Sequence, residues 1–170
     1  MARHATASFL GNSFPVLCSP YAWGMGIIEK LVHVRNRPVL GVLAREILAV
    51  YGIDAGRRST FSKSFRMAHR GMGTVINGAV DVGDRVTIYH QVTVGRADAH
   101  LPLSESKMER IRIEADVVLC AGAKVLGGPG ITTVGAGTIV AANAVLTQST
   151  GQWEVWGGIP ARKLGDRPKP

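Results

Sequence analysis

Branched apolar residues return at every sixth position between Val75 and Gly95. Ile76, Val82, Ile88 and Val94 form one series, and Val80, Val86 and Val92 keep the same interval between them. Gly78, Gly83 and Asp84 fall in the gaps. A six-residue period fits neither a helix, at about 3.6 residues per turn, nor an alternating strand, at about 2. It fits a short strand followed by a turn, repeated, which is the hexapeptide signature of a parallel β-helix. Three such units close a triangular coil of about 18 residues, and successive coils stack at about 4.8 Å. The period is then the length of one side of a prism. The branched residue points inward, and Gly, Asp and Asn turn the corners, where positive φ is needed. A sandwich of short strands would show two-residue alternation and wider turn spacing instead.

The register is weak from Ile53 through Phe65 and Met67, strict from Ile76, and resumes at Ile113, Leu119 and Val125 and again at Val134, Val140 and Leu146. Two interruptions are predicted insertions. One is the polar, charged run Arg96 to Arg110, too long for a corner; the other is "GGPGITT". A loop pushed out of a repeat scaffold commonly belongs to the working face.

Ahead of the repeats the spacing predicts two short helices. Ile27, Ile28, Leu31, Val32 and Val34 make one apolar stripe; Leu40, Leu43, Ile47, Leu48 and Val50 make the second, with Pro38 suited to its first turn and Gly52 as its stop. The chain thus divides into a helical segment over 1–52, a β-helix over 53–150 with the inserted loop 96–110, and a basic, proline-rich tail over 151–170. The fold class is all-β.

Composition narrows the function. A net charge of +8, from 20 Lys and Arg against 12 Asp and Glu, draws an anion without naming it. No long basic run is interleaved with aromatics, which speaks against nucleic acid as a partner. Cys18 and Cys120 have neither metal spacing nor a disulfide pattern, so reduced thiols and a cytoplasmic location are expected. Ser8 to Ile28 carries no charge, but Asn12, Pro15, Pro20 and several Gly and Ser interrupt it. Neither a membrane span nor a cleavable signal is predicted.

"GTVINGAVDVGDRVTIYHQVTVG", "LCAGAKVLGG" and "WGGIPARKLG" resemble the hexapeptide-repeat acyltransferases, most of all the serine acetyltransferase branch, from about Ile53 to Gly165. The resemblance implies a left-handed β-helix, acetyl-CoA as acyl donor, no metal, a small-molecule acceptor, no membrane or nucleic-acid partner, and a homotrimer or dimer of trimers. It places a general base at His69, in "RMAHRGMG", and an orienting carboxylate at Asp54, in "YGIDAG", fifteen residues upstream. The chemistry asks for such a couple. Neutral imidazole takes the proton of an attacking hydroxyl, and a carboxylate on the other ring nitrogen fixes the tautomer. Gly71, Gly73 and Gly95 are candidate N–H donors to the tetrahedral oxyanion. No acyl-enzyme is required, so neither cysteine is needed as a nucleophile.

The same resemblance implies a CoA groove along one prism edge, between subunits. Gly95, Ala121, Gly122, Ala141 and Ala142 would let the pantetheine arm lie close to backbone. Pro160 would border the cofactor, and Arg162 and Lys163, with Arg167 and Lys169 nearby, would meet the phosphates. Trp153 and Trp156 would wall the adenine or cap the core.

The sequence departs from the serine-specific pattern in three places. Ala68 replaces an Asp before the base, Glu109 and Arg110 stand where an Arg-His pair is usual, and the helical segment is much shorter. His100, inside the long loop, is the candidate replacement for the missing His. The acceptor stays open between serine, a sugar hydroxyl, and the hydroxyl or amine of another small metabolite. His90, in "IYHQVT", is either a site residue or a packing residue. The zinc-dependent gamma-class carbonic anhydrases share the fold, but His69, His90 and His100 lack the close spacing of their ligands. An anion- or nucleic-acid-binding trimeric scaffold is the non-enzymatic alternative.

Overall fold

The computed structural model describes residues 25–169. Two helices, α1 (Ile27–Val34) and α2 (Leu40–Val50), precede five coils. The first coil comprises β1 (Asp54–Ala55), β2 (Thr60–Phe61) and β3 (Arg66–Met67). The second comprises β4 (Val75–Ile76), β5 (Val80–Val82) and β6 (Thr87–Ile88). The third comprises β7 (Thr93–Arg96), β8 (Met108–Ile113) and β9 (Val118–Leu119). The fourth comprises β10 (Lys124–Gly127), β11 (Gly130–Val134) and β12 (Ile139–Val140). β13 (Val145–Leu146), β14 (Glu154–Gly158) and β15 (Ala161–Asp166) close the stack.

Each strand pairs in parallel with its equivalent one coil on. The faces run β1-β4-β7-β10-β13, β2-β5-β8-β11 and β3-β6-β9-β12-β14, with β15 appended antiparallel to the last. This is the left-handed parallel β-helix of the hexapeptide transferases. Burial follows the sixfold period. Ile76, Val82, Ile88, Val94, Ile113, Leu119, Val125, Val134, Val140 and Leu146 are all buried, as are Val80, Val86 and Val92. Branched side chains stack on their equivalents above and below, so each hexapeptide contributes to one continuous core.

The helices follow the stripes only in part. Ile28 and Val32 of α1 are buried, but in α2 the buried face is Gly41, Ala44 and Leu48, while Leu40, Leu43 and Val50 are 61% or more exposed. Small residues win because α2 lies against the turn that follows α1: a Cβ at Gly41 would collide with the Arg35 carbonyl. Pro38 stands two residues ahead of α2 rather than in its first turn. Arg35 fastens the helices to the prism. Its guanidinium is buried and donates to the carbonyls of Val32, Ala55, Gly56 and Ser59.

Two further boundaries move. Arg96 pairs with Gly127, and Met108 and Arg110 pair with Gly130 and Ile131, so the excursion covers 97–107, inside the expected 96–110. The basic tail is largely extended strand. β14 and β15 form a hairpin around a cis Ile159–Pro160 bond. Trp156, 7% exposed, covers the end of the core. Arg167 lies over the Trp153 ring and donates to the carbonyls of Asp116 and Gly137, both at 2.9 Å.

Candidate active site

Asp54 pairs with Val75, twenty-one residues on, whereas Val75 pairs with Thr93, eighteen residues on. The three additional residues of the first coil go into one corner, the tight turn Ala68–Gly71 between β3 and β4. His69 (φ 53°, ψ 36°) and Arg70 (φ 60°, ψ 12°) both take left-handed backbone there. That conformation costs a non-glycine residue about 1–3 kcal/mol and collects at functional sites. Several contacts hold it. Gly71 follows at φ 60°, and a Cβ there would collide with the Met67 side chain. The Arg70 guanidinium folds back to donate to the Tyr51 hydroxyl at 3.0 Å. The Met67 N–H donates to the buried Glu29 carboxylate at 2.8 Å, from α1.

The turn lifts the His69 imidazole to the surface, over a cavity of about 550 Å³. Tyr51, Gly52, Met72, Gly73, His90 and Gln91 complete most of its wall. The His90 ring stands edge-on to His69 with centroids 5.4 Å apart, and its Nδ1 is buried with no hydrogen-bond partner. The Tyr89 ring lies tilted to His69, with centroids 5.8 Å apart.

The cavity opens on one edge of the prism. The Gly73 N–H donates to Tyr51, Gln91 to Met72, Gly122 to His90, and Asn143 to Ala121. These bonds line up Tyr51–Gly52, Met72–Gly73, His90–Gln91, Ala121–Gly122 and Ala142–Asn143 as successive turns of the same corner. The second residue of each pair has positive φ. Ala141 continues the line, its N–H on the Trp156 carbonyl of the closing hairpin. From His90 to the hairpin the edge spans three strand spacings, about 14 Å. Ala121, Gly122, Ala141 and Ala142 are small, Gln91 and Asn143 are longer, and the Lys124 ammonium donates to the Gln91 carbonyl at 2.7 Å; Arg162 lies just past the turn of the hairpin.

The sequence matches no protein-family model. It is 32% identical over 138 residues to the serine acetyltransferase of Bacillus subtilis, covering 79% of this chain and 59% of that protein. It is 36% identical over 129 residues to a plasmid-encoded serine acetyltransferase of Synechococcus elongatus, covering 71% and 39%. Among solved structures, the serine acetyltransferase of Neisseria gonorrhoeae, in complex with serine, superposes with a TM-score of 0.67 at 20% identity, covering 81% of this chain and 55% of that one. The Brucella abortus serine acetyltransferase, in complex with coenzyme A, gives 0.66 at 23% identity, covering 83% and 56%.

The chain belongs to the hexapeptide-repeat transferases, on their serine acetyltransferase branch. It spans about three fifths of the length of the Bacillus relative.

The transferase residues read from sequence do not all meet in one chain. Asp54 is exposed in β1, and among the described residues no hydrogen bond or ion pair joins it to His69. His100 lines a separate cavity of about 350 Å³ beneath the 97–107 loop, with Asp98, Glu105, Lys107 and Pro129 among its neighbours. Glu109 and Arg110 lie inside β8, where Arg110 pairs with Asp81 at 2.6 Å on another face. The Gly73 N–H is spent on Tyr51 and is no oxyanion donor. Gly122 is dictated by the turn itself, since a Cβ there would collide with the Asn143 amide. At Gly95 the nearest atom to a Cβ, in Asn77, is 3.9 Å away, so the surface beside it is open. Lys163 sits between Glu154 and Asp166, at 2.9 and 2.7 Å. Its charge is thereby matched inside the hairpin. Lys163 donates to Glu154, as does the Trp156 indole, holding that carboxyl below its ordinary range. Burial pushes the Cys120 thiol up, so little thiolate forms there. Cys18 falls outside the described residues, as does most of the uncharged 8–28 stretch.

Glu29 and Tyr51 carry no sequence signal as site residues, because their link to His69 runs through backbone and tertiary contacts. The signal for His90 was present as a histidine in strict register; only its place one coil from His69 decides its surroundings.

Proposed function

We propose that this chain transfers the acetyl group of acetyl-CoA to the hydroxyl of a small acceptor, with His69 as general base. The observation that carries the reading is the juxtaposition at one corner. A strained insertion lifts an imidazole over a cavity, and that cavity lies on the corner that continues through Ala121–Gly122 and Ala142–Asn143. The relatives, named as serine acetyltransferases, support the same reaction class.

A hydroxyl entering the cavity lies against the His69 ring. The imidazole takes its proton as the oxygen attacks the thioester carbonyl. Collapse of the tetrahedral species breaks the carbon–sulfur bond, and the imidazolium returns the proton to the departing thiolate. Acetyl-CoA supplies the activated acyl group. The protein supplies position: Ala121, Ala141 and Ala142 leave room for an extended arm close to backbone, and Arg162, with no carboxylate partner among the described residues, meets phosphate. The Asp54 carboxylate is the group proposed to orient His69 on acceptor binding, since catalytic hydrogen bonds are often long before the complex forms. His100 and His69 line separate cavities of one chain, so His100 serves the site only from a neighbouring copy. A threefold assembly brings the loop of one prism to the edge of the next.

The test is release of free thiol from acetyl-CoA with a panel of acceptors: serine, homoserine, monosaccharides, aminoglycosides and oligosaccharides. His69→Ala is expected to cut turnover by about 10²–10⁴. Undiminished release in that variant removes His69 from the mechanism.

A further inference from the structure

We propose that the junction of the helices with the first coil carries a second anion site, one that takes a single phosphate group. It is independent of the acetyl-transfer reading and lies away from the His69 edge. A cavity of about 210 Å³ is lined by Asn36, Arg37, Pro38, Arg45 and Arg57. Three arginines therefore line one small space, and no carboxylate-bearing residue does.

The backbone around this space is fixed by bonds that leave the charges unmatched. The buried Arg35 staples the turn after α1 to the carbonyls of Ala55, Gly56 and Ser59. The Asn36 amide donates to the Arg57 carbonyl at 2.7 Å. Arg45 donates one N–H to the Arg35 carbonyl at 2.6 Å, and a guanidinium has five. Among the described residues, Arg37 and Arg57 have no side-chain hydrogen bond or ion pair. Arg85, Arg96 and Arg110 each face an aspartate instead.

A second feature favours negative charge at the same place. Arg37 and Pro38 lead directly into α2, an eleven-residue helix with no side-chain cap and no acidic residue in its first turn. No side chain neutralises the positive end of its dipole, although the Gly41 and Val42 N–H groups are bonded to the Arg37 and Val39 carbonyls. Guanidinium groups with unspent N–H donors around one space can meet a tetrahedral oxyanion through paired planar hydrogen bonds. Size limits the ligand. Ordinary small-molecule pockets start at about 300 Å³, so one phosphate with its waters fits, and a nucleotide base does not.

Thermal unfolding of the full chain in rising inorganic phosphate, at constant pH and with ionic strength held by chloride, tests the site. Binding to the folded state raises the midpoint with a saturating dependence. Exclusion of phosphate from the surface gives only a non-saturating rise. The saturating part is expected in the parent chain and in Arg112→Gln, an exposed arginine of β8 that belongs to neither site, and is expected to be lost in the double variant Arg37→Gln, Arg57→Gln. Retention of that part in the double variant overturns the proposal, and so does an equal loss in Arg112→Gln. Titration calorimetry of the parent chain gives a second reading. Saturable heat that weakens by about tenfold in Arg57→Gln supports the site, and no heat at millimolar phosphate overturns it. Repeating the titration with glycerol phosphate tells free phosphate from a phosphate monoester. Binding of either supports the site; binding of duplex DNA alone overturns it.

Discussion

Glu29 shows how one side chain can matter at a distance. It is 8% exposed on α1, and its carboxylate accepts the Met67 N–H at the root of the His69 turn. Glutamine keeps an acceptor of the same reach, and alanine leaves a buried N–H unmatched at a cost of about 1–3 kcal/mol. Glu29→Ala is therefore expected to lower kcat by about tenfold or more, since small displacements of a catalytic group are costly, with the KM for acetyl-CoA nearly unchanged. Glu29→Gln should restore most of the rate. An equal loss in both variants, or a loss only in KM, would remove Glu29 as a positioning residue. Of the proposed site, His69 and Asp54 came from the resemblance to the hexapeptide-repeat acyltransferases, carried by "RMAHRGMG" and "YGIDAG". The backbone strain of His69 and its neighbours His90 and Tyr51 were not legible, because they meet only when coils stack.

At the scale of the element, the prism and the helices obey different rules. Inside the prism the period alone fixes which side chain is buried. Leu119 is 0% exposed, and Leu119→Ala should cost about 2–5 kcal/mol in chemical denaturation. On α2 the same kind of residue behaves otherwise. Leu43 is 61% exposed, and Leu43→Ala should stay within about 0.5 kcal/mol. The stripe through Leu40, Leu43 and Val50 was a sound helical period, yet docking turned a different face inward. Helix docking also introduces a pH dependence. His33 of α1 stands edge-on to Phe65 at 5.6 Å with its Nε2 buried. Burial, then the nearby Arg35 charge, holds its pKa below the ordinary imidazole value. The folded chain thus binds fewer protons there than the unfolded chain, and stability rises with pH. Its full value is present above about pH 6.5 and falls away on acidification below that. His33→Gln should flatten the fall in Tm between about pH 6.5 and 5; an unchanged profile would exclude His33 as its source.

For the whole molecule the open question is assembly. With His69 and His100 over separate cavities, the proposed site is complete only if copies meet edge to loop. Light scattering at micromolar concentration is expected to report three copies of the chain, or a multiple of three, and a monomer would count heavily against the shared site. The sixfold recurrence of branched residues, read from sequence alone, determined the prism and its core positions, because each hexapeptide repeats one local geometry and burial follows from counting; the three-residue excess that makes the His69 corner showed only in the strand pairing. The basic tail, the second helical stripe and the grouping of Arg37, Arg45 and Arg57 were decided only in three dimensions. Hairpin closure over Trp156, the small face of α2 and the Arg35 staple each join segments that no local period relates.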